Sequence, residues 1–242
     1  MKIPFVPLLA CFLISAGGAS AQVGTPEFDP RGENPVGPHL LRVQVELVEM
    51  PHEAMTKLMR EPRQGADDTA LRRLVDELIG KGEASVYETM TCTAKSNQKA
   101  KSESIEEIIY PTEYEAVASR VVPAGEKQDA NKVPIRPLGT AFETRNTGSM
   151  LEIEPTLSDN AKLVDLQTVA EIVWKTGEEV YSEMKDGFGD SSAKMPKFYT
   201  ARLTTSATLE TGKPQMVGVL SPKGQEGAPD PKRKLMVFVR CE

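Results

Sequence analysis

Residues able to do chemistry are few in this chain, and their spacing argues against most of the chemistry they suggest. His52-Glu53 opens like a zinc-protease helix, but Thr56 stands where the second imidazole is needed one helical turn later, so the two-histidine geometry fails. His39, the other histidine, lies at the end of a stretch rich in Pro and Gly. Asp186-Gly187-Phe188-Gly189-Asp190 sets carboxylates beside glycines, yet it lacks the alternating oxygen ligands and closing Glu of a calcium loop and reads as a plain loop. Glu152 and Glu154 share one face of a strand, as a paired acid and base would, and solvent-facing positions explain them more simply. Met50, Met55 and Met59 read as core filling rather than a copper site, because no histidine accompanies them. There is no phosphate-cradling Gly-rich loop followed by Lys and no Gly-x-Ser-x-Gly elbow. The residues therefore predict no catalytic group, no metal site and no cofactor.

Charge narrows the partners. With a net charge of −6 and a pI near 5.2, and only Lys232-Arg233-Lys234 as a basic trio, the chain is poorly suited to nucleic acid or anionic lipid, which need grouped cations. That trio reads as a solvated loop end. At the N-terminus, Lys2, the apolar run Ile3 to Ile14 and the small residues Ala19-Ser20-Ala21 before Gln22 make an export signal over residues 1–21. The run is too short to span a bilayer and contains Pro4 and Pro7. Leu8-Leu9-Ala10-Cys11 offers a lipoprotein reading, against which cleavage there would leave Phe12-Leu13-Ile14 on the mature end. Export permits a disulfide; loss of the leader leaves Cys92 and Cys241, which can make one bridge, and the sequence does not say whether they meet.

The elements that must position these residues are mostly strands. Residues 22–39 read as a flexible arm, and 40–242 as one domain. Leu41, Val43, Val45 and Leu47 alternate with polar residues as a half-buried strand. Pro51 starts a short helix with Ala54, Met55, Leu58 and Met59 on one face, ended by Pro62. Asp67 or Asp68 caps a second, in which Leu71, Leu74, Val75, Leu78 and Ile79 form the stripe and Arg72, Arg73, Asp76 and Glu77 a solvated face. Strands follow over Ala84 to Lys95 and Ser102 to Tyr110, with a bulge at Glu106-Glu107, then a loop over Val121 to Thr140. Leu151, Ile153 and Leu157, then, after Ser158-Asp159-Asn160, Val164, Leu166, Ala170, Ile172 and Trp174, make a long hairpin with one apolar side. Its wetter face, carrying Asp165, Gln167 and Glu171, favours antiparallel pairing. Lys175 to Lys197 reads as a polar connection, Phe198 to Leu209 with Met216 to Leu220 as a second hairpin, and Leu235 to Val239 as a central strand paired next to the strand Phe198 to Leu209 or the hairpin Leu151 to Trp174. The fold class is α+β: mainly antiparallel β-sheet with two short N-terminal helices.

In order and spacing these segments resemble the C-terminal homology domain of secretins, the ring proteins of type II and type III secretion and of type IV pili, over Asp67 to Arg240. The helix Leu71 to Ile79, the strand Val86 to Lys95 and the turn Ser96-Asn97-Gln98-Lys99-Ala100 stand in the family's order. Thr140-Ala141-Phe142-Glu143-Thr144-Arg145-Asn146-Thr147-Gly148, continuing to Pro155-Thr156-Leu157, is similar to its most recognisable strand. Leu203 to Leu209, Gly212 and Val217-Gly218-Val219-Leu220 resemble its second hairpin, and Leu235 to Arg240 its closing strand. The chain departs from the pattern at Glu88-Thr89-Met90-Thr91, where a proline is usual, at Gly218, where a Gly-Gly pair is usual, and over Ser221 to Asp230. The resemblance implies a noncatalytic, exported structural or assembly component of an envelope secretion or type IV pilus-like system. Periplasmic or outer-membrane association, protein partners from that machinery and homo-oligomers would follow, with no nucleic acid. With no ring-building domains ahead of the module, a complete pore is not expected, and the mature protein should be soluble after osmotic release. The competing expectation is a free-standing periplasmic or cell-surface binding module that reuses the fold.

Overall fold

Eight strands and two helices form three layers in the computed structural model, which describes residues 39–60, 67–118, 135–186, 189–225 and 227–242. The leader and most of the arm before His39, Pro62, and the first part of the Val121 to Thr140 loop lie outside the described residues.

One sheet has the order β2-β1-β8-β7, from β1 (Leu40–Pro51), β2 (Ser85–Lys95), β7 (Gln215–Leu220) and β8 (Arg233–Cys241). The other runs β3-β4-β5-β6, from β3 (Ala100–Ala118), β4 (Ile135–Leu157), β5 (Leu163–Asp186) and β6 (Gly189–Glu210). Every pairing is antiparallel. The alternation in β1 sends Leu41, Val43, Val45 and Leu47 into the main core, where they meet Leu151, Ile153, Val164, Leu166 and Ile172 from the facing sheet. Val48 and Met50, on the opposite face of the strand, join a second core beneath the helices with Val75, Ala84, Met236 and Phe238. Strand β8 serves both cores. Leu235, Val237, Val239 and Cys241 face the main one, Met236 and Phe238 the other, which is why the strand reads as continuously apolar.

Helices α1 (His52–Arg60) and α2 (Thr69–Gly80) cover the outer face of the first sheet. Met55 and Leu58 pack onto the second core, whereas Met59 is exposed, so the methionine group splits between core and surface. Asp68 precedes α2 but makes no side-chain cap: it is buried and accepts from Gln215 Nε2 (2.7 Å) and the Met216 amide (2.8 Å), tying the helix start to β7. Asp67 accepts from the Thr69 amide (2.8 Å) instead. Arg72 is not part of a solvated face. It reaches Glu46 (2.7 Å) and lies 5.4 Å from the centre of the Phe238 ring, joining α2 to β1 and β8.

Several sequence expectations are corrected by the pairing. Lys175 to Lys197 is no polar connection but the distal part of the β5–β6 hairpin, and β4 begins at Ile135, inside the expected loop. These stretches carry little apolar alternation because most of their residues are exposed, Ala193 being buried; ladder hydrogen bonds hold them. The register irregularities of β3 fall around Thr112 and Glu113, not at Glu106-Glu107, which pair regularly with Thr147 and Asn146. Both glutamates are exposed, so their lost alternation reflects solvent on both faces. Phe198 to Leu209 and Met216 to Leu220 form no hairpin: β6 pairs with β5, and β7 with β8 in the other sheet. The crossing lies at Gly212 and Pro214; Gly212, at φ +77°, donates its amide to the Cys241 carbonyl (2.7 Å). The two strands pack face to face, where a Cβ on Gly218 would lie 2.9 Å from Leu203 Cδ1. Strand β8 is central, as expected, but its neighbours are β1 and β7 rather than the strand Phe198 to Leu209 or the hairpin Leu151 to Trp174.

Candidate functional site

The ladder between β4 and β5 ends at Gly148↔Val173. Beyond that pair β4 is hydrogen-bonded only to β3 and β5 only to β6, so the sheet forks into two ribbons. Gly148 makes the bend. Its φ of +113° suits glycine, and a Cβ there would stand 2.1 Å from the Ser104 carbonyl oxygen. A bulge at Thr176 lies just past the fork on β5, where the register skips from Lys175 to Gly177.

A second bulge brings in the other sheet. Leu47 pairs with Glu88 and Val48 with Val86, leaving Tyr87 as the extra residue of β2. Bulges re-aim side chains. Here the Tyr87 ring meets Trp174 edge-on at 5.9 Å and 71°, and Trp174 stacks on Tyr199 at 5.6 Å and 26°. Tyr199 is fixed by donating its hydroxyl to the Ser221 carbonyl (2.8 Å), and burial pushes its phenol pKa up. The ribbons are braced against each other by Tyr110 and Phe198 (5.8 Å), by Tyr114 Oη donating to the Lys194 carbonyl (2.7 Å), and by Arg145 Nη2 donating to Thr200 Oγ1 (3.2 Å).

Between these parts lies a groove of about 670 Å³. Its described lining holds three carboxylates, Glu88, Glu106 and Glu107, against one cation, Lys175, which already bonds Glu178 at 3.1 Å. Burial raises the Tyr87 pKa most; the Trp174 contact opposes this, and the charges of Glu49 and Glu88 add to it. The groove is aromatic, open and negative.

Of the residues singled out in the sequence, most lie elsewhere. Cys92 and Cys241 are free and buried. Both are paired with Val43, from opposite sides of β1, which puts two strand spacings of roughly 4.8 Å each between them, beyond the roughly 4.4–6.8 Å that a bridge spans. Burial pushes the Cys92 thiol up and the Cys241 thiol up to about 11. His39 is no loose end: its carbonyl accepts from the Ser96 amide (3.1 Å) as the chain enters β1. His52 begins α1. Glu152 pairs with Lys99 (2.6 Å) on the outer face of its sheet. Arg233 bonds Glu49 (2.6 Å) and Lys234 bonds Ser221 Oγ (2.8 Å), which ties down the basic trio. Asp186 pairs with Gly189 and Lys185 with Asp190 at the end of the β5–β6 ladder, and Gly187 and Phe188 lie outside the described residues. Among the described residues no group of three His, Cys, Asp or Glu is placed to hold a metal, and no helix is long and apolar enough to cross a membrane.

Sequence reasoning missed the fork and the aromatic group. Trp174 was expected only as the last apolar position of a hairpin face. The chain's single Trp, with Glu106-Glu107 breaking the alternation nearby, was the available signal.

No protein-family model matches the sequence, and no curated protein matches it. Among solved structures, the chain is similar to a type II secretin, GspD, from enteropathogenic Escherichia coli, at 15% identity and a TM-score of 0.42, covering 85% of this chain and 69% of that one. It is similar to the secretin domain β-barrel of InvG from the Salmonella SPI-1 injectisome, at 12% identity and a TM-score of 0.39, covering 86% and 63%. It is also similar to a chain of the Klebsiella pneumoniae type II secretion system outer membrane complex of PulD, PulS and the PulC HR domain, at 12% identity and a TM-score of 0.43, covering 85% and 40%. The chain thus spans between 40% and 69% of the length of these structures. The likeness is one of fold.

Proposed function

We propose that this chain is a noncatalytic, exported structural or assembly component of an envelope secretion or type IV pilus-like system, located in the periplasm or at the outer membrane. The observation that carries the reading is the pair of ribbons that leave the core with their outer edges, β3 and β6, unpaired in the sheet. Open edges on long strands recruit further strands unless something covers them. On the same ribbons Tyr181 is 76%, Ile109 68%, Phe142 60% and Leu138 56% exposed, apolar surface that a partner would remove from water. Partners of this kind are other copies of the chain or proteins of the same machinery. The ordered motifs Thr140 to Gly148 and Leu235 to Arg240 support the same reading. Light scattering on the mature chain, released osmotically without detergent, tests it. Defined oligomers that dissociate when Ile109 and Phe142 are both replaced by Lys are expected, and a monomer at all concentrations would overturn self-assembly. Genes for a secretion ATPase, pilins or an inner-membrane platform beside the coding sequence would favour assembly; their absence would weaken it. The second reading, a free-standing periplasmic or cell-surface binding module, is favoured by the groove at the fork.

A further inference from the structure

Three features coincide at the fork. Past Gly148↔Val173, β4 and β5 each keep a ladder on one side only, so each has an edge without a strand partner where the two diverge. Residues of both strands, Thr147 and Gly148 on one and Trp174 and Lys175 on the other, line the groove between them. Its charge comes from Glu88, Glu106 and Glu107, with the one lysine neutralised by Glu178. An extended backbone satisfies open strand edges by ladder hydrogen bonds. Clustered carboxylates beside an indole favour a cation, which gains both ion pairing and the ring's negative face. An acidic chain carrying this groove repels acidic segments.

We infer that the groove binds an extended segment of another protein bearing lysine or arginine, added as a strand at the fork, with a basic side chain held by Glu88, Glu106 and Glu107 beside Trp174. Joining copies through the outer edges of β3 and β6 would leave this groove open, so the inference goes beyond the assembly reading and does not depend on it.

Trp174, the only tryptophan, reports on the site directly. The probes are the peptide acetyl-TVKVKVT-amide, its counterpart acetyl-TVEVEVT-amide, and acetyl-lysine amide, titrated into the full mature chain while Trp emission is followed. The basic peptide should give a saturable change, and the acidic one should bind at least about tenfold more weakly, a difference of about 1.4 kcal/mol. Raising NaCl to about 0.5 M should weaken the basic peptide, since screening shortens the reach of exposed charges. The triple variant Glu88→Gln, Glu106→Gln, Glu107→Gln should lose at least about tenfold in affinity. Absence of saturation, equal binding of the acidic peptide, or an unaffected triple variant would each overturn the site. Acetyl-lysine amide binding as tightly as the peptide would overturn strand addition. The salt and acidic-peptide arms use the unaltered protein, so they decide the matter even if the triple variant does not fold.

Discussion

Strands β4 and β5 each have two halves built on different physics. In the proximal halves Leu151, Ile153, Val164, Leu166 and Ile172 are buried against the other sheet, and each such side chain contributes about 1.5–3 kcal/mol by leaving water. In the distal halves, 135–147 and 174–186, Leu138, Phe142, Val180 and Tyr181 are exposed. A ladder hydrogen bond there contributes only about 0.5–1.5 kcal/mol net. A continuous strand therefore need not be a uniformly stable one: opening of the ribbons should precede global unfolding, and binding elements are commonly drawn from such regions.

The sharpest way to break this comparison is one proline in each region. Val237 is fully buried in β8, paired with Leu47 on one side and Gly218 on the other. Val237→Pro removes a ladder donor and should cost about 3 kcal/mol or more, lowering the melting midpoint on the order of 10 °C for a chain of this size. Val180→Pro, in the β5–β6 ribbon beside the bulge at Tyr181, should cost under about 1 kcal/mol, because the ribbon opens without the core. Equal drops in the two melts would mean the ribbons fold as one unit with the core. Hydrogen exchange gives the same contrast without mutation, with amides of 175–185 expected to exchange well before those of β8.

The fork itself is tested by Gly148→Ala. A residue forced to φ +113° costs about 1–3 kcal/mol in strain, and the added Cβ must also displace the Ser104 carbonyl. A lower midpoint accompanied by altered Trp174 emission is expected. An unchanged emission spectrum would mean that the fork is not set by this glycine.

What was legible in the sequence follows the same division. Strands β1, β4, β5 and β8 and helix α2 were readable wherever one face met a core, since burial imposes a period of 2 or 3.6. Residues 135–140 and 175–186 were read as loop or connection because largely solvated strands leave no such period, and Thr140 or Glu179 looks the same in a loop as in a ribbon. The assignment of β6 and β7 to different sheets was also hidden. The turn Thr211-Gly212-Lys213 suits a hairpin, and what excludes one is the face-to-face packing of Gly218 on Leu203, a contact between distant residues. The groove needed three such non-local events, the bulge at Tyr87, the bend at Gly148 and the bulge at Thr176.

The smallest expected effect separates the core from the ribbons by pH. Cys241 is fully buried in the main core, and burial alone carries its thiol from 9.0 up to about 11. The folded state therefore holds this proton more tightly than the unfolded chain does. Its contribution to stability is complete below about pH 9, the unfolded value, and is lost as pH rises toward about 11. Tyr87 and Tyr199, whose pKa values are also raised chiefly by burial, act in the same direction at higher pH. The melting midpoint should thus fall by a few degrees between pH 9 and 11, and Cys241→Val should flatten part of that fall while the tyrosines retain the rest. Thiol reagents should find both cysteines only after denaturation, without prior reduction. If the variant's midpoint falls as steeply as the parent's, the alkaline loss belongs to Tyr87 and Tyr199 at the fork rather than to the thiol buried in the main core.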